Sequence, residues 1–382
     1  VRTIYFDYNA TTPLDPAVRA EMLPFLDGIY GNPSSVHHVG RQARACLDDA
    51  RDRAAQVLSS KPSEVIFTSG GTESNNLAIF GAARLLKSRG RHLITSTIEH
   101  HAVLHCFDYL AKKEGFEVTR LPVDREGLVS PEDLRKAIRP DTILVSVMAA
   151  NNEIGTIQPV AELGAICRER GVLFHTDAVQ WFGKEPFENI HQFNADLVSI
   201  CAHKFHGPKG AGALFIRSPL LPDPVMFGGA HENERRAGTE NMAAVVGLVS
   251  ALERFVKQPV FDRKQLQPLT DRLLGLAERA PGVSFAGSRA RRLSNTVSFV
   301  IEGSDSITLL AGLDLEGICA SSGSACSAGS LEPSHVVLGL GVGQNLAKSL
   351  VRFSLGRDST AEEVAVVESV FPGIVKTAQQ FQ

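Results

Sequence analysis

From Ser63 to Ile216 short apolar runs alternate with amphipathic ones, and this alternation limits the chain to one kind of architecture. The runs at 65–68, 92–96, 116–121, 143–148, 172–176, 197–200 and 213–216 have the length and composition of strands. Between them, 73–86, 101–113, 131–138 and 160–170 have helical spacing. Strands separated by helices form βαβ units, so the expected fold is α/β with a mostly parallel sheet. The runs at 143–148 and 172–176 are dominated by Val, Ile, Leu and Phe, as expected where helices cover both sheet faces.

The remainder of the chain frames this block. Helices are expected at 16–26 and 40–58, with a loop at Gly31–Ser35. After the break Leu220–Pro224, residues 242–256 read as a long apolar helix bridging two domains. Beyond Pro259 the composition shifts, with helices at 263–279, 306–313 and 360–376 and strands near 295–300 and 350–355. A chain of 382 residues exceeds a single core. The expectation is a large domain over 16–258 and a smaller α/β domain built from 1–15 and 259–382.

Composition excludes several function classes. With a net charge of −3 and no basic stripe, nucleic acid is not expected as a partner. No apolar run is long enough for a membrane span, and no signal peptide is visible. The six cysteines (Cys46, Cys106, Cys167, Cys201, Cys319, Cys326) show no CxxC spacing, which argues against a disulfide framework or a zinc site and fits a reducing cytoplasm.

Open α/β sheets bind ligands at the carboxyl ends of their strands, and polar motifs gather there in this chain. Lys204 follows the run 197–200. Alone it is a surface lysine at a strand end; desolvated, it is a nucleophilic amine or a base. Ser69–Glu73 is either a phosphate-binding turn at a helix start or an ordinary turn with Thr72 as the cap. His100 and His101 follow 92–96 and either meet a ring or begin a helix. Asn151–Gly155 either holds an anionic or phenolic oxygen or makes a turn. Asp177 can hold a protonated ring nitrogen, bind a metal or cap a helix. Residues 320–330, ASSGSACSAGS, carry no anchoring side chain and read as a mobile loop that presents Cys326 for reaction. Arg352 lies in an apolar run and answers either a substrate anion or a structural carboxylate. Lysine, acid, phosphate turn and histidine together point to pyridoxal phosphate.

These motifs occur in one order: FDYNATTP (6–13), GNPSSVH (31–37), SGGTESNNLAI (69–79), EHHAV (99–103), NNEIG (151–155), DAVQ (177–180), AHKFHGPKGAGAL (202–214), RAGTEN (236–241), SSGSACS (321–327) and RFSLGR (352–357). The set resembles the NifS/IscS-type cysteine desulfurases, in the class V aminotransferase group of fold type I pyridoxal-phosphate enzymes. The likeness runs from about residue 3 to about 370, and the SGSAC motif resembles the longer-loop branch.

The resemblance implies a homodimer that converts L-cysteine to L-alanine and hands the sulfur to an acceptor protein, such as an iron–sulfur scaffold. By the same resemblance Lys204 links covalently to the cofactor aldehyde and later moves the Cα proton. Asp177 pairs with the ring nitrogen, Gln180 approaches the ring hydroxyl, and His100 stacks on the ring. Gly71, Thr72 and His203 hold the phosphate, with Thr239 arriving from the neighbouring subunit. Asn152 and Arg352 grip the substrate carboxylate, and Cys326 attacks the substrate sulfur. Two departures stand out. Cys201 replaces the serine that often contacts the phosphate, and a thiol is the weaker donor. The chain also stops at Gln382, without the longer tail with which some relatives bind the scaffold protein. Selenocysteine lyase, or another C–S lyase using the same cofactor, is the competing expectation.

Overall fold

The computed structural model describes residues 3–323 and 332–380. Its strands, in chain order, are β1 (Ile4–Tyr5), β2 (Val65–Thr68), β3 (His92–Ser96), β4 (Glu117–Leu121), β5 (Thr142–Ser146), β6 (Leu173–Asp177), β7 (Leu197–Cys201), β8 (Gly212–Ile216), β9 (Val283–Phe285), β10 (Thr296–Ile301), β11 (Ile318–Cys319) and β12 (Val351–Ser354). Seven of them form one sheet in the order β2-β8-β7-β6-β5-β3-β4. Every pairing from β7 through β6, β5 and β3 to β4 is parallel, whereas β8 runs antiparallel to both β7 and β2. The expected α/β class with a mostly parallel sheet is what the chain adopts. The exception has a simple cause. The connection from Cys201 to Gly212 carries only a turn of 3-10 helix, Ala202–Lys204, and a parallel crossover needs a longer link.

Strands β3, β5, β7 and β8 are buried at every position, while the edge strand β4 is exposed at Glu117 and Arg120. That contrast explains why the central runs are continuously apolar and β4 is not. One core gathers residues from Val18 to Val256 on one sheet face. On the other, the helices Gly71–Leu85 and His101–Glu114 supply Leu77, Ala78, Phe107 and Leu110.

A separate core joins Ile4, Phe6 and Tyr8 to residues between Phe261 and Ala378. It packs around the antiparallel sheet β12-β10-β9 and the parallel pair β1-β11. Where the two bodies meet, Ile98 and Ile154 pack with Ala286, Val300, Val337 and Leu350.

Local expectations fail where Gly or Pro interrupts a helix. The helix expected at 16–26 divides into Pro16–Met22 and Pro24–Asp27, because Pro24 begins a new first turn. The helix expected at 263–279 divides at Gly275. The apolar helix Met242–Phe255 is not the bridge between bodies. It is buried in the larger core, packed on the helices His38–Leu58 and Pro16–Met22. The link lies just beyond it, where Val260 packs against both cores. Among the described residues no helix is long and apolar enough to cross a membrane.

Candidate functional site

The carboxyl ends of β2, β3, β5, β6 and β7 open onto one cavity of about 260 Å³. Gly71 and Thr72, His100, Asn152, Asp177 and Gln180, and Cys201, His203 and Lys204 all line it. Met148, Ala150 and Val179 supply apolar wall, and Ala10 reaches it from the N-terminal segment.

Lys204 stands in the tight link between β7 and β8. Its Nζ donates to the carbonyls of Asn9 (2.8 Å) and Ala10 (2.9 Å). Loss of water pushes the amine below the ordinary lysine range, against the pull of Cys201 and Asp177 and with the push of Arg352. An amine so placed gives up its proton more readily than a surface lysine, and the reading of Lys204 as an ordinary surface lysine does not hold.

Asp177 closes β6. Its Oδ2 accepts from Asn75 Nδ2 at 2.7 Å and its Oδ1 from the Val179 N–H at 3.0 Å. Asn75 reaches it from the first turns of the helix Gly71–Leu85, and its own Oδ1 has no partner among the described residues. The cap of that helix is Gly70 at φ 154°, and Thr72 sits inside the first turn instead of capping it. A side chain at residue 71 would put its Cβ 2.7 Å from Val179 Cγ2, so only glycine lets the helix start lie this close to β6 and β7.

His100 caps the helix His101–Glu114 through Nδ1, which accepts the Ala102 N–H at 3.1 Å. That bond places the proton of the neutral ring on Nε2. Burial, and secondarily the charge of Lys204, hold the imidazole below its ordinary pKa, while Asp177 pulls the other way. His203 is pushed down to about 4 by burial and by Lys204 and Lys209. Its Nδ1 lies 3.1 Å from Thr11 Oγ1. The Cys201 thiol is raised by burial, while the backbone N–H groups of Gly71 and His203 pull the other way.

Among the described residues, two expected site residues fall elsewhere. Arg352 is not in the cavity wall. It lies beneath Asn152, nearly inaccessible, with Nη2 on Asp7 Oδ1 (2.7 Å) and Nη1 on the carbonyls of Asn152 (2.7 Å) and Gly323 (2.8 Å). The structural carboxylate foreseen for it is therefore present, yet among the described residues its Nε has no partner. Thr239 lines a different depression with Ser69, Glu232 and Arg236. Cys326 lies outside the described residues.

Sequence reasoning gave no role to Asn75, nor to three further residues close to the cavity. Asn9, inside the FDYNATTP motif, joins both bodies: its Nδ2 donates to Thr296 Oγ1 (2.9 Å) and to the Asn152 carbonyl (3.2 Å). Lys184 is buried behind Gln180. Glu99, immediately before His100, is fully buried and accepts from Ser96 Oγ (2.5 Å) and the Met148 N–H (3.0 Å to each oxygen). A charged residue beside a named histidine was the available signal for Glu99. Nothing local marks the other two.

Comparison with known proteins supplies the family. The model of the class-V aminotransferases matches residues 4–367. The chain is 48% identical over 376 residues to the cysteine desulfurase IscS of Dictyoglomus turgidum, an alignment covering 98% of this chain and 95% of that one. The chain belongs to the class-V aminotransferase family, on its cysteine desulfurase branch. The family resemblance read from the motifs is thereby confirmed over nearly the whole chain. Among solved structures, a NifS-like protein matches this chain with a TM-score of 0.90 at 37% identity, over 98% of this chain and 100% of that one. A structure of SspA in complex with cysteine matches with a TM-score of 0.82 at 35% identity, over 94% and 100%.

Glu99 yields a pH prediction. Burial raises its pKa from 4.5 to about 8, with Asp177 adding to the rise and the Ser96 and Met148 bonds opposing it. The folded state therefore holds a proton that the unfolded chain releases. The stability contributed is complete below pH 4.5 and is lost as pH climbs through 8. Between these values the loss is at most about 1.4 kcal/mol per pH unit. Urea unfolding of Glu99→Gln across this range is expected to show a flatter pH dependence than wild type; parallel curves would show that Glu99 does not hold that proton.

Proposed function

We propose that this chain is a pyridoxal-phosphate-dependent cysteine desulfurase that converts L-cysteine to L-alanine and takes the sulfur onto Cys326 as a persulfide. The observation that carries the reading is the shared cavity: a desolvated lysine amine, a buried carboxylate and a helix start with no side-chain cap all face it, in a chain nearly half identical to a cysteine desulfurase.

The residues fit the cofactor that such enzymes use. Lys204 would bond its aldehyde, and Asp177, braced by Asn75 and the Val179 N–H, would hold its ring nitrogen protonated. The N–H groups at Gly71 and Thr72 and the side chain of His203 would hold the phosphate, with the positive helix end favouring an anion. Gln180 would meet the ring hydroxyl, and His100 would cover the ring face. When bound, the cofactor supplies an electron sink for the pair left at the substrate Cα.

The remaining chemistry belongs to the chain. Lys204, its pKa depressed, accepts and returns the proton at Cα. Asn152 and Arg352 orient the substrate carboxylate; the Nε of Arg352, without a partner among the described residues, supports this, because a buried donor without an acceptor is costly to keep. The Cys326 thiolate attacks the substrate sulfur, so the C–S bond breaks, an S–S bond forms, and the former substrate carbon is protonated to give alanine. An acceptor thiol then takes the outer sulfur, regenerating Cys326. The protein acts as a cytoplasmic homodimer in which Thr239 completes the partner's phosphate site; its position outside the cavity of its own chain supports this.

The test is product formation from L-cysteine in the presence of a reducing thiol. Wild type is expected to release alanine and sulfide in equal amounts, and Cys326→Ala is expected to lose both while keeping its cofactor. Turnover that survives Cys326→Ala would instead identify a C–S or selenocysteine lyase. Cys201→Ser is expected to retain the cofactor several-fold more tightly, through a stronger phosphate donor. Equal retention by equilibrium dialysis would show that Cys201 makes no such contact.

A further inference from the structure

Lys184 is a buried amine that the chemistry above does not use. It is 2% exposed, and among the described residues its hydrogen bonds go to no carboxylate. Its Nζ donates to Asn9 Oδ1 (2.5 Å) and Gln180 Oε1 (2.5 Å) and lies 5.0 Å from the centre of the Phe261 ring. Burying an amine is expensive, and an apolar side chain of the same length would fill this space at lower desolvation cost. Packing alone therefore does not account for it.

What the amine does is remove a choice from its neighbour. A glutamine amide can present either its oxygen or its NH2 group to a ligand. As an ammonium Lys184 has only donors to offer, so Gln180 turns Oε1 toward it. Gln180 Nε2 then donates to the Asn9 carbonyl at 3.0 Å. That leaves one N–H of the same nitrogen for the cavity, which Gln180 lines. Asn9 is fixed in the same way. Its Oδ1 accepts from Lys184 and from Asn295 Nδ2 (3.1 Å), which commits its NH2 group to Asn152 and Thr296.

We propose that Lys184 is a positioning residue that locks the amide of Gln180 so that an N–H donor, and not the oxygen, faces the bound cofactor ring. Burial pushes the Lys184 amine well below the ordinary lysine range, with Lys204 and Arg352 adding to the push. The ammonium, which has no acceptor, makes the lock strict; the neutral amine still carries one N–H for each of the two oxygens, but its lone pair no longer forbids the flipped amide.

The consequence rests on the pyridoxal-phosphate reading. A donor held against the ring oxygen stabilises negative charge there and weakens that oxygen's grip on the proton it shares with the Lys204 nitrogen. Lys184 thus lowers the pH at which this proton leaves. A residue that merely supported the fold would leave that pH unmoved.

The experiment follows the visible absorbance of the holoenzyme against pH in wild type, Lys184→Met, Gln180→Leu and the double variant. Lys184→Met is expected to raise the midpoint by about one pH unit, roughly tenfold in the dissociation constant. In the Gln180→Leu background the same change is expected to add no further shift, since the lysine acts through that amide. Should Lys184→Met fail to fold, Lys184→Gln, whose N–H can reach one of the two oxygens, is expected to give a smaller shift of the same sign. A midpoint unmoved in the folded variant, or an equal shift with and without Gln180, would overturn the proposal. A wild-type protein that binds no pyridoxal phosphate overturns the cofactor reading and this proposal with it, and that outcome is visible before any variant is made.

Discussion

The amine of Lys204 is held by two backbone carbonyls, those of Asn9 and Ala10, and the rest of the site depends on that contact. An amine taken out of water needs acceptors, and here they come from a segment almost the length of the large body away in sequence. The segment is anchored at both ends. Phe6 and Tyr8 are buried in the smaller core, while the Thr12 N–H reaches the His203 carbonyl (3.0 Å) and the Asp15 N–H the His206 carbonyl (3.0 Å). The strap that holds the lysine thus also ties the two bodies together. Asn9 sits where it crosses, with bonds to Lys184, Gln180, Asn152, Asn295 and Thr296.

Sheet topology does the remaining positioning. Parallel strands deliver their following residues to one edge, so Thr72, His100, Asn152 and Asp177 converge although they are far apart in sequence. Lys204 joins them because β7 turns straight back as β8 instead of entering a crossover helix. The same convergence crowds carboxylates, imidazoles and amines into a poorly hydrated space. Burial is accordingly the first cause of the shifts at Lys204, His100, His203 and Glu99.

Much of this was legible in the residues, and the limits have physical reasons. The alternation of apolar runs foretold the parallel sheet, because side-chain periodicity reports local burial. It did not foretell β9, a three-residue strand whose pattern Val–Ser–Phe is too short to carry a period. The motifs at strand ends placed Lys204, Asp177 and His100 in one cavity, since strand order and handedness leave few alternatives. The partners of those residues were hidden. Asn75, Asn9 and Lys184 act through contacts between distant segments, and no spacing rule connects Asn9 to Lys184. Arg352 was foreseen as buried and anion-seeking, but its Asp7 partner, 345 positions away, was not.

The central claim is that Lys204, and not the second buried amine beside it, is the lysine that bonds the cofactor. Reducing the pyridoxal-phosphate-loaded protein with borohydride and mapping the labelled peptide tests this most directly. The account predicts the label on the peptide containing Lys204. A label on Lys184 would contradict it, because the carbonyls of Asn9 and Ala10 would then be holding a lysine that takes no part in the chemistry.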